Sequence, residues 1–235
     1  MHSLLTPHGT LRAAINLGNP VLARRGPAGG EPGGVSVDLA RAFAARLELP
    51  LQLVPFETAG PVVAAIARGE IDLAFLAVEP ARAGVVHFCA PYVLIEGTYL
   101  TQANSPLRHV MDFDSAGTQI AVADKAAYDL FLTRTLIHAG LVRFATPDAS
   151  LQGFLDQGLE AVAGIRQALD AFATSHPGLR VCPGRFMAIE QAMAIPRSHA
   201  AGAVVVETFL KEMKASGFVR RSLDAHGQSA VAIAP

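Results

Sequence analysis

The 235 residues carry 19 Lys plus Arg against 20 Asp plus Glu, with 51% hydrophobic residues, 6% aromatics and no Trp. A formal net charge of −1 supplies no field that would draw nucleic acid or an anionic membrane surface, and both are excluded as general partners. The length allows one large domain or two lobes of about 100 residues each, with core volume supplied mainly by Ala, Val, Leu and Ile.

In chain order, Met1–Pro7 has neither a basic n-region nor a long apolar h-region, so no secretory signal is read there. On that reading, either a signal was removed in making the chain or the protein stays in the cytoplasm. Leu11–Leu17 alternates and breaks at Gly18-Asn19-Pro20, as a strand entering a loop does. The Gly- and Pro-rich stretch 26–34 predicts a hairpin tip. Val37–Leu47 has helical spacing, with Asp38 in the first turn, where an acid suits the helix dipole. Leu49–Phe56 is a strand, Pro61–Arg68 a helix stopped by Gly69, and Ile71–Val78 a strand nearly continuous in apolar residues after Asp72. This βαβαβ opening predicts a parallel sheet with right-handed crossovers.

Tyr92–Gln102 reads as extended. The alternation then restarts: strand Gln119–Ala123, helix Ala126–His138, strand Leu141–Phe144, helix Ser150–Gln157, strand Leu159–Gly164, helix Gln167–Thr174 and strand Leu179–Pro183. A second extended stretch, Met187–Ile195, leads into a long helix over His199–Ser216 and a last helical segment at Phe218–His226. Two α/β blocks joined by two extended crossings suggest two lobes with a cleft. Residues 62–67 and 203–206, the longest apolar runs, are far short of the ~18 needed to span a bilayer, so the protein is not expected to be membrane-embedded. Cys89 and Cys182 allow one disulfide at most and read as two small buried thiols. No metal-ligand spacing, P-loop or nucleophile elbow is present, so no cofactor, metal or catalytic residue is expected.

Gly69-Glu70-Ile71-Asp72-Leu73-Ala74-Phe75 running through Arg82, then Val86-His87-Phe88-Cys89-Ala90-Pro91-Tyr92, resembles the amino-acid-type (family 3) solute-binding proteins of ABC transporters. Gly34-Val35-Ser36-Val37-Asp38-Leu39-Ala40 resembles the same family, as do Met187–Pro196 and Ser216-Gly217-Phe218. The resemblance implies a type II periplasmic-binding fold. Its two Rossmann-like α/β lobes would be residues 1–97 with 197–235 and residues 103–187, joined by hinge strands 98–102 and 188–196. It also implies a monomer, a small-molecule ligand in the cleft, an ABC permease as partner and a periplasmic location.

On the family's pattern Arg82 is the carboxylate clamp, a planar fork of donors that stays charged at any working pH. The alternative is that it caps a helix or pairs with an acid. Ala77 stands where the family has a hydroxyl residue, and Glu79 replaces a Thr. Glu79 either neutralises Arg82 as an ion pair or meets a cationic ligand group. Asn16 and Asn19 occupy the first strand–loop, where the family stacks an aromatic ring, and the second ring falls near Ala59, which implies a pocket with less stacking area. The Gly-Thr or Gly-Ser anion cradle of the second lobe reads Asp124-Lys125-Ala126. There Lys125 is either a substitute point charge or a solvated loop residue. The amino-group Asp is missing from the 160–166 stretch, which ends in Arg166. With Arg166 opposing Arg82, an anionic or dicarboxylic ligand is expected over an ordinary α-amino acid. Glu96 and Gln191, polar residues on the crossings, are further candidates for the cleft, while His87 is expected to face a helix or solvent.

The residues favour a binding protein that delivers a carboxylate-bearing solute to an importer. Two alternatives stay open at this point. One is a cleft enzyme of the cyclohexadienyl dehydratase kind, with Glu79, Glu96 or Lys125 as acid or base. The other is a ligand-sensing module.

Overall fold

Each unit of the chain has its own parallel strands and its own core. The computed structural model describes Leu5, Thr6 and residues 8–235; apart from Leu5 and Thr6, the segment read for a leader lies outside the described residues. One unit runs to Leu94 and resumes over Glu190–Pro235, and the other is Ile95–Ile189. Two strands therefore carry the chain from one unit to the other, β4 (Val86–Gln102) and β9 (Met187–Pro196).

In the first unit, β1 (Leu11–Asn16) pairs in parallel with β2 (Leu51–Phe56) and β3 (Leu73–Ala77), as the βαβαβ pattern predicts. β3 pairs antiparallel with β9, Ala77 lying opposite Gln191, and the short β10 (Ala232–Ile233) runs antiparallel to Val93 and Leu94 of β4. Every residue of β3 is buried, which is why its sequence is a continuous apolar run. β2 lies at the sheet edge, where Pro55 is tolerated because its missing N–H breaks no interior ladder.

α1 (Val35–Arg46) starts at Gly34 with φ 123°. A Cβ there would meet the Leu22 carbonyl oxygen at 2.3 Å, so only glycine fits. α1 packs Phe43 against Phe209 of α6 (Ala203–Ala215), ring centroids 5.0 Å apart; burying a ring of this size contributes about 2–3 kcal/mol. Beyond any effect on the helix dipole, the Asp38 carboxylate accepts from Ser222 Oγ at 2.6 Å and lies 2.9 Å from His226 Nε2. It thereby ties α1 to α7 (Phe218–Ala225). α2 (Ala59–Ala67) covers the sheet with Val62, Ala65 and Ile66.

The predicted helix 199–216 needs correcting. Residues 197–202 form 3₁₀ turns with His199 off helical geometry, and α6 begins only at Ala203. Gly202 in the stretch lowers helix propensity, and no side chain caps the start. β4 also begins at Val86 rather than Tyr92; the fixed φ of Pro91 is compatible with an extended chain. The 26–34 stretch closes through a single antiparallel bridge, Arg24 with Gly33, around a 3₁₀ turn at Pro27–Gly29.

In the second unit, β5 (Gln119–Ala123) pairs in parallel with β6 (Gly140–Phe144) and β7 (Ala161–Ile165). The end of β4 pairs antiparallel with β7 and with β8 (Leu179–Val181). α3 (Ala127–Thr135), α4 (Pro147–Asp156) and α5 (Arg166–Ser175) complete it. Thr146 caps α4 by accepting from Ala149 N at 3.1 Å, with Pro147 at the first helical position. Tyr99 stacks on Phe113 at 4.2 Å in a core with Ile120, Val122 and Leu132.

After α3, the chain is held by the Asp114 carboxylate, which accepts backbone N–H bonds from Ala139, His138 and Ile137. These bonds hold its carboxyl below the usual carboxylate range. A lowered folded-state value means that the contribution is full above the ordinary carboxylate pKa and lost as pH falls through the lowered one. Protection of the amides of residues 137–139, taken relative to their unprotected exchange rates at each pH, should therefore be lost only as pH falls through that lowered value. In an Asp114→Ala variant it should already be lost at neutral pH. Equal protection in the variant would remove Asp114 as the clamp.

Candidate functional site

At the carboxyl end of β3, four of the residues singled out in the sequence come together. The chain leaves β3 at Ala77, and Glu79 caps a 3₁₀ turn over Pro80–Arg82, accepting from Ala81 N at 3.3 Å. The turn folds Arg82 back, so that its Nη1 donates to the Ala77 carbonyl at 3.1 Å. Gln191 lies beside Ala77 across the β3–β9 pairing. All four are buried, Glu79 to 2% and Arg82 to 4% exposure.

A charged guanidinium at that depth is unusual unless compensated. Burial pushes the Arg82 pKa down to about 10, and the neighbouring Glu79 charge partly offsets this. Arg82 remains a cation at neutral pH. Glu79 and Arg82 thus form a compensated pair of opposite charges within four residues, and Ala77 contributes its backbone carbonyl in place of a side-chain hydroxyl.

Asn16 and Asn19 hold the loop after β1. The Asn16 side chain accepts from Gly18 N at 3.1 Å, and that of Asn19 from Val21 N at 3.3 Å. The Asn19 carbonyl accepts from both Leu22 N and Ala23 N at 3.0 Å. Ala59 opens α2 and packs against the core of Val62, Ala65 and Ile66. The loop is thus fixed by asparagine turns where an aromatic ring was the family's pattern.

In the second unit the structure pairs Glu96 with Arg166, Oε2 to Nε at 2.6 Å, and adds Arg185, whose Nη1 lies 3.2 Å from Oε1. The two arginines, Arg166 foremost, hold the Glu96 carboxyl below the usual range. Sequence reasoning missed Arg185; it sits in a loop 89 residues from Glu96, with no spacing rule to connect them. It also missed Asp129, buried at the start of α3. Asp129 accepts from Arg143 Nε at 3.0 Å and from the Lys125 backbone N–H at 2.9 Å.

Lys125 adopts a left-handed φ of 59°, in the stretch matched to the family's Gly-Thr or Gly-Ser. Its side chain is exposed, with Nζ 3.8 Å from Asp124. The Ala126 N–H bonds the Ala123 carbonyl at 3.1 Å. The N–H groups of Lys125 and Ala126 are therefore engaged within the chain, and Asp129 already places a carboxylate at this helix start. His87 is half-buried on β4.

Cys89 and Cys182 are buried, free thiols, and burial together with the Glu207 charge pushes Cys89 up to about 12. Among the described residues no three His, Cys, Asp or Glu are placed to hold a metal ion, and no helix is long and apolar enough to cross a membrane.

Comparison with known proteins adds three findings. A solute receptor for L-cysteine from Neisseria gonorrhoeae superposes with TM-score 0.82 at 21% identity, covering 95% of this chain and 92% of its own. The amino-acid ABC transporter substrate-binding protein AbpA of Streptococcus pneumoniae, bound to L-arginine, gives 0.81 at 20% identity over 96% and 98%. The ancestral amino-acid-binding protein AncCDT-1, a precursor of cyclohexadienyl dehydratase, gives 0.79 at 20% identity over 94% and 96%. These likenesses show the fold, two α/β lobes of the type II periplasmic-binding kind. No curated protein matches the chain. The model of the bacterial extracellular solute-binding proteins, family 3, matches residues 11–228, and the chain belongs to that family.

Proposed function

We propose that the two-lobed chain closes around a small polar, carboxylate-bearing solute and hands it to an ABC-type importer outside the cytoplasmic membrane, without transforming it. The observation that carries this reading is Arg82: a charged guanidinium, 4% exposed, folded over the carboxyl end of a central strand. Open α/β sheets bind ligands at the carboxyl ends of their strands. Nη1 is anchored on the Ala77 carbonyl, which fixes the plane of the fork, and a fixed planar fork matches a carboxylate.

Catalysis is the weaker reading. Glu96 is held ionised by two arginines, which suits neither a proton donor nor a base poised near neutral pH. The Lys125 side chain is exposed beside Asp124.

A thermal-shift panel of small carboxylic acids and α-amino acids, each beside its primary amide, tests the proposal. A ligand at 100 times its Kd stabilises the folded state by about 2.7 kcal/mol, a readily measured rise in Tm. At least one acid is expected to raise Tm while its amide does not. Equal shifts for acids and amides, or turnover of the acid that binds, would overturn the reading.

A further inference from the structure

One carboxamide in the first unit is almost fully enclosed and has its hydrogen-bonding capacity unspent. Gln191, on β9, is 5% exposed, and its side chain makes no hydrogen bond among the described residues. Buried polar groups are as a rule paired, and one left without a partner costs free energy that a ligand can recover. Its place in the sheet says which ligand group that would be. Gln191 lies directly opposite Ala77 in the antiparallel β3–β9 ladder. Side chains of such a pair share one face of the sheet, with Cβ atoms about 4.5–5.5 Å apart. Ala77 puts only a methyl group on that face, which leaves room for the longer side chain beside it. The Ala77 carbonyl is also the acceptor that anchors Arg82 Nη1 at 3.1 Å. Gln191 is therefore the cross-strand neighbour of the point on which the guanidinium fork is fixed, and both belong to the same unit.

We propose that Gln191 is a specificity-determining residue: its carboxamide hydrogen-bonds a polar group on the carbon next to the carboxylate that Arg82 holds. The proposal rests on the reading of Arg82 as the clamp for that carboxylate. A carboxamide offers two donors and an acceptor, so it can meet a hydroxyl, an oxo group or an ammonium. The solute class is then an acid with one of these groups on the adjoining carbon. A plain alkanoic acid places hydrocarbon there and leaves the buried carboxamide unpaired, so it binds more weakly.

The test is the Gln191→Met variant, which keeps the length of the side chain and removes its donors and acceptor. Isothermal titration compares L-lactate, pyruvate and L-alanine with propionate, and 2-hydroxyhexanoate and L-norleucine with hexanoate. In the unmodified protein at least one substituted acid is expected to bind at least tenfold tighter than its plain parent. In the variant that ratio should fall to threefold or less, with affinity for the plain acid unchanged. The arm with the largest ratio tells a hydroxyl or oxo group from an ammonium. Because the carboxamide has no protein partner to lose, the ligand-free variant should melt no lower than the unmodified protein. Three results each overturn the proposal: no substituted acid preferred by the unmodified protein, a ratio that survives the substitution, or a clear fall in Tm that reveals a structural role. If Arg82 is the part that is wrong, the signature differs, because Arg82→Ala would then bind every acid as the unmodified protein does.

Discussion

Replacing Arg82 by Ala is expected to lower affinity for the carboxylate solute roughly 30-fold or more and to erase its thermal shift. Truncating one partner of a buried, hydrogen-bonded charge pair costs about 2–5 kcal/mol, and each 1.4 kcal/mol is a factor of ten. The complication is that Arg82 also compensates Glu79, which is 2% exposed, so the Ala variant loses stability too. A double variant separates the two effects. Glu79→Gln with Arg82→Met removes both charges at nearly constant volume, and replacing a buried ion pair by neutral groups is often close to neutral for stability. The double variant should regain much of the Tm lost by Arg82→Ala while still failing to bind. Arg82→Lys keeps the charge but loses the planar fork, so roughly 10-fold or greater weakening is expected. Wild-type affinity in the double variant, read by titration calorimetry, would reduce Arg82 to a structural partner of Glu79.

How much of this is legible in the sequence depends on whether a feature is local. β3 could be read because burial on both faces leaves a continuous apolar run, and Asp72 stood out as the polar residue at its start. Gly34 and Asp38 were legible as a motif, although the bonds from Asp38 to Ser222 and His226 were not. Those partners are 184 and 188 residues away, and no periodicity links them. At the site, Arg82, Ala77, Glu79 and Gln191 were singled out, and the structure brings them together because three sit on one strand end and the fourth on the adjacent strand. Glu96 and Arg166 were each noted, but nothing in the sequence said that they touch. The third member, Arg185, occupies a loop whose path is set by Thr98 and Gly184 and not by any helical or strand repeat. Lys125 was weighed as a charge, whereas the structure shows its backbone as the informative part. A left-handed residue there passes its N–H to Asp129, a choice of hydrogen bond that composition cannot reveal.

The largest stability effect is expected at Asp72, which joins the starts of β1 and β3. Its carboxylate is fully buried and accepts from the Arg12 backbone N–H at 2.9 Å, from Nε at 2.8 Å and from Nη2 at 2.6 Å. The Asp72 N–H returns a bond to the Arg12 carbonyl at 2.9 Å. One side chain thus satisfies a backbone donor that β1 would otherwise leave unmet, and both donors on one edge of a guanidinium. Its hydrogen bonds raise the Arg12 pKa. Asp72→Ala removes the acceptor for all three donors, and losing one partner of a buried pair costs about 3–5 kcal/mol. For a chain of this length each kcal/mol shifts Tm by about 2–4 °C, so a drop of roughly 6–20 °C is expected. Asp72→Asn keeps an acceptor for the Arg12 N–H and should fall between Ala and the unmodified protein. The first unit should be the one that weakens, since its central pair β1–β3 is what Asp72 fastens. Urea unfolding followed by hydrogen exchange would show protection lost in Ala13, Ala14, Leu73 and Ala74 and retained in β5 and β7. A loss below about 1 kcal/mol in the Ala variant would mean that solvent replaces the carboxylate easily, and that the strand pairing holds these ends together without it.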